Sequence, residues 1–155
     1  MNTTISVRIQ NEPFSQDIEY AELQNSCPRA GAVVSFCGLV RDNNLNQSVK
    51  ELFLQHYEGM TEQLIEEICS EAATRWILDG IHIVHRVGPL QPNELIVFVG
   101  TASAHRTAAF ESCQYLMDQL KTRATFWKRE TYPSHSEWLN QRDDDISVAK
   151  SWNQG

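Results

Sequence analysis

The chain has 155 residues, of which 41% are hydrophobic and 21% charged, and its net charge is −7. That length suits one domain with a full core, and the composition excludes a disordered chain. The acidity counts against general nucleic-acid binding, and no apolar run approaches the ~20 residues that span a bilayer.

Met1 to Ile5 lacks the basic and apolar regions of a secretory signal, so a cytoplasmic protein with no membrane partner is expected. Ile5, Val7 and Ile9 alternate with polar residues, as in a half-buried strand. Asp17 to Gln24 suits a short helix before Cys27-Pro28. Ala30 to Val40 is a dense apolar run that reads as a buried strand. Arg41 to Ser48 follows as an Asn-rich loop, and Val49 to Tyr57 as another strand.

Thr61 resembles an N-cap, and Leu64, Ile65, Ile68, Ala72 and Trp76 share one helical face. Ile81 to Val87 reads as a strand, Gly88 to Asn93 as a turn, and Glu94 to Ala102 as a second buried strand. Ser103 is placed to cap a long helix whose stripe is Ala109, Cys113, Leu116, Met117, Leu120 and Ala124. Thr125 to Thr131 is short and extended, and residues 133–155 form a polar C-terminal segment with the run Asp143-Asp144-Asp145. Interleaved strands and helices predict a single domain over 1–155 in which two long helices cover one face of a sheet.

Residues 103–130 hold five basic and three acidic side chains, and none from Lys121 to Arg129 is acidic. Such a segment in an acidic chain suits a small anion, although a solvated helix end explains the same charges equally well. If the chain reverses near Thr125, Lys121 and Lys128 converge, and two close ammonium groups depress each other's pKa, as a base or nucleophile requires. Two unrelated surface lysines are the plain alternative.

Ser103-Ala104-His105-Arg106 lies where a strand passes into a helix and suits a phosphate or carboxylate, with Arg41 a third anion contact. A plain cap at Ser103, a surface His105, an acid-paired Arg106 and a strand-end Arg41 explain the same residues equally well. His82 and His85 point to opposite faces of a strand, so one metal ion cannot readily take both. The cysteines Cys27, Cys37, Cys69 and Cys113 contain no CxxC pair, and packed thiols are expected, Cys37 included. Nucleotide-loop, Rossmann, hydrolase-elbow and zincin patterns are all absent.

Several stretches together resemble one family. They are Ala32 to Phe36 with Gly38 and Val40-Arg41, His56 to Glu62, Val84 to Gly88, Glu94 to Gly100, Ser103 to Arg106, and Leu120 to Ala124 with Phe126 to Glu130. The chain is similar there to the large, catalytic subunits of molybdopterin synthase, the MoaE family. The resemblance implies an α+β fold of the α/β hammerhead type, a mixed sheet with two long helices packed on it and a small appended β lobe. It implies sulfur transfer to cyclic pyranopterin monophosphate, forming the dithiolene of molybdopterin.

The implied sulfur donor is the C-terminal Gly-Gly thiocarboxylate of a small ubiquitin-like, MoaD-type subunit. The implied assembly is a heterotetramer centred on a homodimer of large subunits, with no cofactor or metal. Carried over by position, Lys121 and Lys128 resemble the essential lysines. Leu39, Val40, Arg41, His105, Arg106, Arg129 and Glu130 match substrate-contacting positions, and Arg142 matches an arginine in a more variable region. Two departures stand out: Leu39 where the family often has Lys, and Thr125 where Pro is common. The rival readings are an idle docking scaffold and a self-contained sulfurtransferase using a Cys37 persulfide.

Overall fold

In the computed structural model, residues 2–139 and 143–154 are described. Two four-stranded sheets organise them. The first runs in the order β1 (Thr4–Gln10), β6 (Gly80–Arg86), β8 (Leu95–Ser103), β2 (Ala32–Leu39). It is mixed: β1 lies parallel to β6, while β6–β8 and β2–β8 are antiparallel.

Helices α2 (Met60–Arg75) and α3 (Arg106–Arg123) cover one face of this sheet. Ile65, Ile68, Cys69 and Ala72 of α2 and Cys113, Leu116 and Leu120 of α3 meet Ile81, Ile83, Val97 and Val99 of the strands. Helix α1 (Gln16–Ser26) packs on β6 and β8, where Leu23 and Cys27 meet Ala102. Cover on both faces buries every residue of β6, its two histidines and Arg86 included, and accounts for the apolar run of β8.

The second sheet is antiparallel, in the order β10 (Ser136–Leu139), β9 (Phe126–Thr131), β5 (Glu51–His56), β7 (Gly88–Leu90). Its core is Val40, Leu52, Leu54, Val87 and Leu90. A hairpin of β3 (Asn43–Asn44) and β4 (Gln47–Ser48) turns through Leu45 and Asn46, both at positive φ, inside the stretch expected as a loop. The appended β lobe is thus a full second sheet.

Two expected caps lie elsewhere. Helix α2 starts behind Gly59, at φ +84°, whose N–H donates to the Glu62 carboxylate. Thr61 is fully buried; its hydroxyl accepts from the Tyr57 N–H and donates to the Thr125 carbonyl, 3.2 Å away. His105 takes the cap position of α3, and the Ser103 hydroxyl donates instead to the Ile77 carbonyl. The expected turn at Gly88 supplies β7, and the polar C-terminal segment supplies β10 and α4 (Asp143–Ser151).

Candidate active site

Lys121 lies in the last turn of α3 and is exposed to solvent. Beyond Ala124 the chain reverses, held by the Phe126 N–H on the Ala124 carbonyl and by Thr61 on Thr125, and enters β9. The reversal sets Lys128 of β9 within reach of the Lys121 charge. Burial pushes the Lys128 ammonium below its ordinary pKa, and the charges of Lys121 and Arg41 push the same way. Asp145 of α4 and Glu130 oppose them. Two exposed cations, Lys121 at the end of α3 and Arg41 in the loop after β2, thus act on the half-buried Lys128 of β9.

Strand alternation sorts the rest of β9. Lys128 pairs with Leu54 and Leu139, and shares its face with Glu130. Glu130 is buried, and its carboxylate accepts from Asn44 Nδ2 at 2.6 Å and the Tyr132 hydroxyl at 2.9 Å. It thereby ties the β3–β4 hairpin, and with it the loop carrying Arg41, to the lysine strand. Arg129 faces the other way, its guanidinium 4.9 Å from the Phe53 ring and 5.4 Å from that of Trp138.

Leu39 ends β2 after a register irregularity and is exposed. Val40 is buried, and its backbone is held by Glu94 and Asn93. Arg41 follows, exposed. His105 and Arg106, also exposed, open α3, whereas Lys121 closes it. An 18-residue helix is about 27 Å long, so the two ends of one α3 cannot grip the same small molecule. Arg142 lies outside the described residues.

Two histidines join the cluster without having been singled out for it. His56 ends β5 in register with Phe126, its Nε2 3.6 Å from the Glu62 carboxylate. His85 stacks on Phe126. The strand position of His85 was legible, but its neighbour comes from a segment forty residues away. His82 points instead toward α1, where it meets Glu19 at 2.8 Å, and Arg8 pairs with the same carboxylate. The thiols are poor nucleophiles: burial raises Cys37, and carries Cys69 to about 12 and Cys113 to about 11.

A family profile described as MoaE protein matches residues 9–123. The molybdopterin synthase catalytic subunit of Yersinia pestis is 49% identical over 146 residues, covering 94% of this chain and 96% of the relative. That of Escherichia coli (strain K12) is 50% identical over 141 residues, covering 91% and 93%. Among solved structures, the molybdopterin biosynthesis MoaE protein of Burkholderia ambifaria superposes with a TM-score of 0.83 at 42% identity, covering 97% of this chain and 99% of its own. With the family profile, the identity to relatives over nearly their whole length and the fold in agreement, the chain belongs to the MoaE family.

Proposed function

We propose that this chain is the catalytic subunit of a molybdopterin synthase. It moves sulfur from the thiocarboxylate of a small ubiquitin-like, MoaD-type subunit onto cyclic pyranopterin monophosphate. The observation that carries the reading is the convergence of Lys121, Lys128 and Arg41, with Lys128 depressed by burial and by its cationic neighbours. Both the phosphate and the thiocarboxylate are anions, and the half-buried Lys128 holds an anion more strongly than an exposed lysine would.

In this mechanism Lys121, exposed at the mouth, meets the incoming thiocarboxylate and stabilises charge on its carbonyl oxygen. The sulfur attacks the pterin side chain, and water then cleaves the acyl–sulfur bond, leaving the small subunit with an ordinary carboxylate. Lys128, whose lowered pKa brings it nearer to neutrality, handles the proton as phosphate oxygen leaves carbon. Glu130 fixes the hairpin beside Arg41, the backbone of Leu39 and Val40 shapes the same edge, and Arg129 braces β10 from the outer face. The sulfur arrives on the partner, so the reaction calls on no cofactor, metal or cysteine, and the raised Cys37 thiol disfavours a persulfide route.

His105 and Arg106 act in this reading from a second copy, whose α3 N-terminus completes the pocket at the centre of a heterotetramer. The exposed backbone N–H groups and Arg106 there suit a phosphate. The assembly works in the cytoplasm, where four free thiols persist. A mixing experiment tests the arrangement. Lys121→Ala and Arg106→Ala proteins, each inactive alone, regain turnover when subunits are exchanged, because some dimers then hold one intact pocket. Failure to regain it, with exchange verified by mass, refutes the shared pocket.

A further inference from the structure

His85 has no role in the mechanism above, yet it lies where the cluster's elements meet. It is 8% exposed near the end of β6, and its ring stacks on Phe126 with centroids 3.9 Å apart and planes 12° from parallel. Phe126 opens β9 two residues before Lys128 and pairs in register with His56. His85 Nδ1 is 2.7 Å from the Arg86 carbonyl oxygen. A carbonyl only accepts, so Nδ1 carries the proton and Nε2 keeps its lone pair. Among the described residues, Nε2 has no hydrogen-bond partner.

Burial holds this ring neutral, at a pKa of about 3, and the charges of Lys128, His56 and Lys121 reinforce it. The tautomer is thus fixed by a backbone bond and the charge state by the surroundings. The carboxylates of the cluster are already engaged, that of Glu62 standing 3.6 Å from His56 Nε2. Lys121, Lys128 and Arg41 only donate. The Glu130 carboxylate is engaged by Asn44 and Tyr132, and Asp145 bears on Lys128. A pterin brings several N–H donors along with its phosphate, and a donor buried without an acceptor weakens binding.

We propose that His85 recognises the substrate, its Nε2 accepting a hydrogen bond from an N–H of the bound pterin ring. The inference rests on the pterin substrate proposed above. Two replacements separate the acceptor from the packing. His85→Asn retains a donor for the Arg86 carbonyl but nothing at the Nε2 position, whereas His85→Gln carries an amide oxygen out to about that position.

Equilibrium binding of cyclic pyranopterin monophosphate, measured anaerobically, should weaken at least ~10-fold in His85→Asn and stay within about threefold of wild type in His85→Gln. Affinity for the small subunit should not change in either. In wild-type protein labelled with 15N-histidine, the His85 Nε2 resonance should move upfield when the pterin is added. An unmoved resonance with pterin bound overturns the inference, as does equal weakening of both variants or none in His85→Asn. Should His85→Asn fail to fold, the wild-type resonance decides alone. Wild type that binds no pterin overturns the proposed function and this inference with it, whereas binding with an unmoved resonance overturns only the inference.

Discussion

Trp152 joins the C-terminal segment to the helices and, through that segment, to the chemistry. Its ring stands edge-on to Trp76 at 5.8 Å and to Tyr115 at 5.4 Å, and the Arg75 guanidinium lies 5.6 Å from it. Its indole N–H donates to the Asp118 carboxylate at 2.7 Å. Edge-to-face pairs contribute about 0.5–1.5 kcal/mol each, the cation–π contact about 0.5–1, and a hydrogen bond to a charged group about 1.5. Trp152→Ala should therefore cost about 3 kcal/mol after discounting for partial exposure, a fall in Tm of roughly 6–12 °C for a domain of this size.

The same change releases α4, which is otherwise held by Gln119 on the Ala149 carbonyl and which carries Asp145. Asp145 raises the Lys128 pKa, so its departure lowers that pKa further, and the pH–rate limb reporting Lys128 moves to lower pH. Thermal melts and single-turnover rates between pH 6 and 10 measure both effects. An unchanged Tm refutes the packing argument. A lowered Tm with an unmoved limb refutes the link from α4 to Lys128.

Three further outcomes follow from the same cluster. The folded-state pKa of Lys128 is depressed, so its charge opposes folding at neutral pH and the penalty fades as pH rises. Lys128→Met should accordingly melt higher than wild type at pH 7 while losing turnover; a lower Tm contradicts this. His85 falls to about 3 when folded, against about 6.5 unfolded. Its contribution is complete above pH 6.5 and drains away as pH drops toward 3, so His85→Gln should lose less stability than wild type across that window in acid-unfolding titrations. Parallel curves would show that His85 does not stay neutral in the fold. Asn44→Ala removes the 2.6 Å bond to Glu130 and should cost about 1.5–2 kcal/mol and raise KM for the pterin by loosening the hairpin beside Arg41. Unchanged KM would mean the hairpin does not position Arg41.

Much of this was legible in the sequence where local pattern and burial agree. β8 announces itself as an apolar run because helices cover both its faces, β6 shows through its alternation, and the stripe of α3 follows from its single buried side. The helix end and the short strand after it were readable, but the approach of Lys128 to Lys121 depended on a reversal near Thr125 that the sequence left open. β7 was hidden because Gly88 and Pro89 are turn residues, and only pairing with β5 makes a strand of them. The β3–β4 hairpin puts Leu45 in a conformation that Gly or Asn usually takes, so no turn signature marks it. The Asp143–Asp145 run reads as a solvated tail, although acidic residues also suit the N-terminus of a helix. His85 gains its meaning from Phe126, and no local pattern encodes that contact.

The central claim is that the lysine pair performs sulfur transfer. Single-turnover conversion of cyclic pyranopterin monophosphate by a thiocarboxylated small subunit tests it most directly, with wild type compared against a folded Lys121→Ala variant. Dithiolene product from the wild type and a loss of at least ~100-fold in the variant, about 2.7 kcal/mol of barrier, is the predicted result. Similar rates from both proteins would move the chemistry off Lys121, and no product from a folded wild type that binds its partner would make the chain a docking scaffold.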